Sequence, residues 1–223
     1  MAIPTRYSAV KLRAELDVDA AKWSRVPEEP IIASATGAIE ARGIKVLRQK
    51  DGVQALAKIK ELIPPGAEVM NGSSTTLIEI GYQQLLESGK HEWKDLHKAI
   101  TSENNAFARN ELRRKSVASE YFLSGVNAIA MTGELVSCDK TGSRVGAWPF
   151  AARRLLLVSG VNKIVPTLQD ALTRVRDYVY PLENLRSMKV YGVPSQIGKC
   201  VILANELDAN RITLLLIDGD YGY

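Results

Sequence analysis

The chain has 223 residues, 46% of them hydrophobic and 24% charged, with a formal net charge of +4. That length fits one large α/β domain with a short appendage, and that composition excludes a disordered or fibrous chain. The basic residues are dispersed, which favours small anionic ligands and argues against nucleic acid as a partner. The densest basic run, residues 109–115, is interleaved with Glu111 and Leu112 and reads as a solvated helix face. No run of about 18 apolar residues offers a membrane span. Residues 1–7 lack the apolar core of a signal peptide. Cys138 and Cys200 are too few for a disulfide framework, so a cytoplasmic protein is expected.

In chain order, residues 8–16 suit a short amphipathic helix and residues 23–30 a proline-bounded connection. Residues 1–30 are read as an N-terminal helical extension and 31–223 as the α/β domain. A helical pattern over 31–42 stops at Gly43, a strand occupies 44–47, and a helix over 52–62 places Val53, Leu56, Ile59 and Leu62 at three- and four-residue spacing. Pro64-Pro65-Gly66 breaks it before a strand at 67–71. Residues 75–88 predict one helix, 90–105 a polar segment, 106–119 a further helix and 121–130 one buried strand. A strand at 134–137 leads into a hairpin-type turn at 139–144. The most apolar strand is 155–158, followed by a helix over 167–178 and strands at 200–204 and 211–217. Strand and helix alternate, which implies a parallel sheet with helices on its faces.

The sharpest functional signal lies between Asn71 and Gly81. An apolar strand ends at Asn71, a turn follows with Gly72, Ser73, Ser74, Thr75 and Thr76, and a helix begins. Backbone N–H groups and the positive end of a helix dipole then converge on one point, which suits an anion or a polarised carbonyl. The same pattern also serves as an ordinary N-cap and a Gly-Ser turn.

Six segments occur in register: Gly43-Ile44-Lys45-Val46, Leu62-Ile63-Pro64-Pro65-Gly66, Asn71-Gly72-Ser73-Ser74-Thr75-Thr76-Leu77 with Glu79-Ile80-Gly81, Asn127-Ala128-Ile129, Gly142-Ser143-Arg144-Val145 and Asn162-Lys163-Ile164-Val165. Together they resemble the LUD domain, the family that includes lactate-utilisation protein C, from about residue 31 onward. The resemblance implies a NagB/RpiA/CoA-transferase-like fold: a Rossmann-like, mostly parallel sheet flanked by helices, with its site at strand carboxyl ends. It adds weight to a ligand at Gly72 to Thr76 and leaves the reaction open.

Two departures from the family pattern bear on chemistry. Family members usually carry an acidic residue where Met131 stands here, so any proton transfer must use other groups. Many members also carry several cysteines toward the C-terminus. This chain has Gly198-Lys199-Cys200 alone, and one thiolate cannot build a four-ligand site.

The candidate catalytic residues are Glu79, Glu134, Asp139 and Lys163. Glu79 faces a substrate or simply pairs on the surface, and Lys163 either ends a strand or stabilises developing negative charge. The candidate binding residues are Asn71, Gly72, Ser73, Ser74, Thr75, Thr76, Asn127, Thr141, Gly142 and Arg144. Arg144 would grip a carboxylate or phosphate bidentately if its turn closes the site, and a plain hairpin is the alternative. The turns at 72–76 and 139–144 should touch, because ends of parallel strands gather on one edge.

His91 and His97 read as exposed, Cys138 as a small core residue, and Cys200 as the thiol whose pKa Lys199 would lower. No metal and no cofactor is expected, since two cysteines and two histidines are scattered along the chain; nothing demands magnesium near Glu79, Glu134 or Asp139.

These readings converge on a protein that binds a small organic acid or activated carbonyl compound, as an isomerase, transferase or lyase of organic-acid metabolism. The alternatives are a non-catalytic accessory subunit of a lactate-oxidation-type complex and a LUD-fold enzyme recruited to another pathway. The expected partner is a small anionic molecule, with a homodimer or oxidoreductase subunits left open, and neither nucleic acid nor membrane.

Overall fold

The computed structural model describes residues 7–223, so most of the stretch read as lacking a signal peptide lies outside the described residues. The strands are β1 (Lys45–Gln49), β2 (Glu68–Asn71), β3 (Lys94–Asp95), β4 (Tyr121–Gly125), β5 (Ala128–Ala130), β6 (Leu135–Asp139), β7 (Arg154–Gly160), β8 (Ile164–Val165), β9 (Lys199–Leu203) and β10 (Ile212–Ile217). Six of them form a sheet in the order β1-β10-β7-β4-β2-β3, with every neighbouring pair parallel. The other four form a smaller sheet, β8-β5-β6-β9, antiparallel except between β5 and β8. The architecture is a Rossmann-like α/β fold.

The helices are α1 (Ala9–Arg13), α2 (Ala20–Trp23), α3 (Glu29–Glu40), α4 (Gly52–Leu62), α5 (Thr75–Glu79), α6 (Tyr82–Ser88), α7 (Leu96–Ser102), α8 (Ala106–Ser116), α9 (Ser143–Gly146), α10 (Leu168–Arg174) and α11 (Tyr180–Tyr191). Central strands are apolar on both faces because both are covered: Leu155, Leu156, Leu157 and Val158 are all buried. Leu155 and Leu157 pack with Ile32, Ile39 and Trp148 on one face, and Leu156 and Val158 with Ala55, Ile59, Leu77 and Tyr82 on the other. Each fully buried leucine of this kind contributes roughly 1.5–3 kcal/mol. A third cluster joins the smaller sheet to α1, α10 and α11 through Leu12, Val136, Ala171 and Leu182.

Local chemistry sets the boundaries. The Asp51 side chain accepts the Gln54 N–H at 2.9 Å and caps α4, and Ala55 and Ile59 point inward. Helix α3 begins at Glu29, so a boundary between residues 30 and 31 falls inside it. The N-terminal helices are tied to the rest, with Arg13 paired to Asp220 at 2.6 Å.

Several elements differ from the sequence reading. The helix expected over 75–88 is two helices, because Gly81 adopts φ +85° between α5 and α6. The polar segment at 90–105 contains β3 and α7, the latter capped by Asp95 accepting from Lys98 N–H at 3.0 Å. The single strand expected over 121–130 is β4 in the large sheet and β5 in the small one, with a change of sheet at Val126-Asn127. The turn at 139–144 is no hairpin: Gly142 at φ +97° leads directly into α9.

The helix expected to end at Tyr178 continues through a π-helical turn, Val175–Val179, into α11. Pro181 accounts for that turn. A proline inside an α-helix loses its N–H and collides with the carbonyl four residues back, and a locally wider turn relieves both problems.

Candidate functional site

A cavity of about 440 Å³ opens beyond the carboxyl ends of β2 and β4, between the two sheets. That volume falls within the range of small-molecule sites, about 300–1,000 Å³. Three walls enclose it.

The first wall is the hydroxyl turn. Gly72 N–H donates to Leu123 O at 3.0 Å and so extends the ladder with β4. Ser74 Oγ accepts the Leu77 N–H at 3.3 Å as the N-cap of α5. Among the described residues, the backbone N–H groups of Ser73, Ser74, Thr75 and Thr76 have no protein acceptor, and all four residues line the cavity. Helix α5 is only five residues long, so these N–H groups supply the local positive character and the helix dipole adds little.

Lys163 forms the floor. It ends the 3₁₀ turn Val161–Lys163 that follows β7, and it is 2% exposed. Its Nζ donates to Thr76 Oγ1 and to Val126 O, each at 2.9 Å, and Thr76 Oγ1 donates in turn to Tyr221 O at 3.3 Å. Among the described residues no carboxylate forms an ion pair with it. Burial pushes its pKa down to about 7; Arg174 and Arg144 act in the same direction, while Glu79 and Asp220 oppose them. Behind it, burial also lowers Arg174 to about 10, and that guanidinium donates to Trp23 O at 2.7 Å and to Asn127 O. Asn127 Oδ1 accepts the Cys138 N–H at 2.8 Å and fastens β6 to the start of β5.

The second wall is the turn after β6. The Asp139 carboxylate accepts the N–H groups of Gly142, Arg144 and Val145, the last two at 2.8 and 3.2 Å. Arg144 then reaches across the cavity. Its Nη1 donates to Ser73 O at 3.1 Å and its Nη2 to Cys138 O, while Nε is buried and has no partner among the described residues. Gly72 makes room for it: a Cβ there would sit 2.7 Å from Arg144 Cδ. Arg113 Nη2 closes this side, 3.4 Å from both Thr141 Oγ1 and Ser143 Oγ. The two turns do touch, but the route differs from the one expected, since Asp139 ends an antiparallel strand of the smaller sheet.

The third wall comes from α11. Glu183 accepts two bonds from Arg186, both at 2.7 Å, and one from Tyr223 Oη at 2.6 Å. Burial pushes this carboxyl up, but Arg186 and Tyr223 outweigh it and hold the pKa below its ordinary value. Arg186 Nη1 is buried and has no partner among the described residues.

Among the residues singled out from sequence, Asn71, Ser73, Ser74, Thr75, Thr76, Asn127, Asp139, Thr141, Arg144 and Lys163 gather around this cavity, with Gly72 among them. Gly142 shapes the second wall without lining the space. Two carboxylates stand elsewhere. Glu79 accepts Ala9 N–H at 2.8 Å and Gly222 N–H at 2.6 Å, clasping the N-terminal helix to the tail. Glu134 pairs with Arg42 at 2.6 Å and accepts from Thr132 Oγ1, beside the β5–β6 turn. Met131 packs against the first core cluster, so the family's acidic position does not line the cavity of this chain.

The histidines are half-buried, not exposed: His91 stacks on Trp93 with centroids 5.3 Å apart, and His97 lines the cavity. Lys199 does not lower Cys200; partial burial raises that thiol. The sequence reading passed over Glu183, Arg186 and Tyr223, and it assigned Arg113 to a solvated helix face, whereas that side chain lines the cavity. The Glu-x-x-Arg spacing of Glu183 and Arg186 was the available signal, and it lies beyond the point where the helix was expected to end, at Tyr178.

Among the described residues, no three His, Cys, Asp or Glu side chains converge as a metal-ligand set, and no helix is long and apolar enough to cross a membrane. The LUD domain family matches residues 32–217, and the chain belongs to that family. Membership ties it in general terms to lactate utilisation. No match was found among curated proteins. A solved structure of a DUF162 family protein from Deinococcus radiodurans is similar in fold, at 13% sequence identity and a TM-score of 0.50 over 86% of this chain and 100% of the other.

Proposed function

We propose that the cavity binds a small organic acid by its carboxylate or a neighbouring carbonyl oxygen, and that the chain is an enzyme of organic-acid metabolism. One observation carries this reading. Among the described residues, Lys163 is a buried amine without a carboxylate partner at the floor of a ligand-sized cavity, beside a wall with four unpartnered N–H groups. A buried cation left without its counter-charge is unfavourable, and an incoming anion supplies that charge. The N–H groups of Ser73 to Thr76 then stabilise negative charge developing on a substrate oxygen, and Lys163, with a pKa near 7, gives or takes a proton at neutral pH. In this reading Asp139 is a positioning residue, because its oxygens are occupied by the backbone of its own turn.

Calorimetric titration with lactate and with pyruvate at pH 6 and at pH 9 tests the proposal. Binding should be tighter at pH 6, where Lys163 carries its proton, and accompanied by proton uptake near pH 7. Absence of binding by both acids at both pH values would refute the carboxylate reading.

A further inference from the structure

The function described above makes no use of the two thiols, and the strand register brings them together. Cys138 on β6 and Cys200 on β9 are direct cross-strand partners. Val136 O accepts the Asn127 N–H, and the Cys138 N–H donates to Asn127 Oδ1, so the polar backbone groups of these two residues face β5 and turn away from β9. Cys138 and Cys200 therefore form a non-hydrogen-bonded antiparallel pair, the type in which opposite Cα atoms approach to about 4.5 Å and side chains leave the same face. A disulfide needs Cα atoms about 4.4–6.8 Å apart. The facing is consistent along the strands: Val136 and Cys138 belong to the third core cluster, whereas the alternate pair Leu135 and Leu203 belongs to the first. Both thiols are free; Cys138 is buried and lines the cavity, and Cys200 is exposed on the edge strand of its sheet.

We infer that Cys138 and Cys200 are a redox-modification site, a dithiol that a low-molecular-weight disulfide converts to an intramolecular cross-strand disulfide. The Cys200 thiolate, the accessible one, attacks a sulfur of the oxidant RSSR. A Cys200–SR bond forms, and RS⁻ leaves and takes up the proton that Cys200 lost. The Cys138 thiolate then attacks Cys200 Sγ, forming the Cys138–Cys200 bond and expelling a second RS⁻, which takes up the proton of Cys138. The two cysteines lose two electrons and RSSR is reduced to two RSH.

Burial raises the pKa of both thiols above the ordinary thiol value. Cys138 is raised to about 11, with Cys200, Asp139 and Glu183 adding to burial and Arg144 opposing it; Cys200 is raised by burial against a backbone hydrogen bond from Val201. The reaction is accordingly slow at pH 7 and quickens toward pH 9. Its product fastens an edge strand whose Lys199 packs over Gly142, next to the wall that Arg144 builds from Cys138 O.

The test uses the wild-type chain and glutathione disulfide, followed by alkylation under denaturing conditions and peptide mapping without reductant. The expected product is monomeric, lacks both alkylatable thiols, has lost the mass of two hydrogens, and yields one peptide pair joining Cys138 to Cys200. Cys138→Ser should instead stop at the glutathione adduct of Cys200. A wild-type protein that accumulates the Cys200 adduct while Cys138 stays alkylatable, that forms disulfide-linked dimers, or that keeps both thiols at pH 9 would each overturn the inference.

Discussion

The second wall and the floor of the cavity hold their cations at different depths and against different acceptors. Arg144, which sequence marks as the natural grip for an anion, is committed to two backbone carbonyls, Ser73 O and Cys138 O. It works as a strut between the sheets. Lys163, which sequence offers either as the end of a strand or as a group that stabilises negative charge, is buried deeper, has no ion-pair partner among the described residues, and meets the cavity beside backbone donors that are unpartnered among those residues. Neither cation has a carboxylate partner among the described residues; they differ in depth, and in the proposed reading the fully buried lysine is the one that gains most from an incoming anion.

Truncating each cation should separate the two roles. Lys163→Met should weaken lactate or pyruvate binding by roughly 2–5 kcal/mol, the usual loss when one partner of a buried charge pair is removed. Arg144→Met should weaken it by less than about 1 kcal/mol and mainly lower the urea midpoint, as loss of backbone-directed hydrogen bonds does. Paired calorimetry and denaturation on both variants decide this, and the reverse assignment would break the comparison.

The lysine should also make stability depend on pH. Its pKa is about 7 in the folded chain against an ordinary 10.5, so between these values the unfolded chain binds more protons than the folded one. Below pH 7 the folded state bears the full penalty of a buried ammonium; the penalty fades as pH rises through 7 and is gone above 10.5. Lys163→Met should therefore be more stable relative to wild type at pH 6 than at pH 10, by roughly 2–4 kcal/mol. Urea titrations at both pH values that gave the same difference would contradict this.

Two smaller effects sharpen the account of the turn. Gly72→Val should cost about 1–3 kcal/mol by driving a side chain into Arg144, and Arg144→Met should recover part of that loss in a double-mutant cycle. Additive effects would remove Arg144 from the role of strut. Ser74→Ala should cost about 1 kcal/mol through the lost cap of α5, read from the thermal midpoint.

What was legible in the sequence follows the physics of each region. The α4 helix and the strands beside it were readable because the period and the proline stop agree within a dozen residues. The split of 121–130 between two sheets was not, since a strand that changes sheet keeps its apolar pattern throughout. Helix α7 stayed hidden because only Ile100 of its seven residues is buried. At the site, the hydroxyl turn announced itself through local chemistry. Glu79 illustrates the limit: helical spacing places it one turn beyond the hydroxyls, and only the return of the tail shows that its carboxylate is bound to Ala9 and Gly222. Arg144 and Lys163 could not be ranked from sequence, because the ranking depends on which carbonyls each side chain meets after folding.

The most direct measurement is a proton titration of Lys163 itself, followed by NMR of the lysine ε-carbons in the wild-type chain and assigned with Lys163→Met. The account predicts one resonance titrating near pH 7, clear of the other lysines, and moving to higher pH when lactate or pyruvate is bound. A Lys163 resonance that stays charged to about pH 10 without ligand, or one that titrates near 7 and does not move when the acid binds, would contradict it.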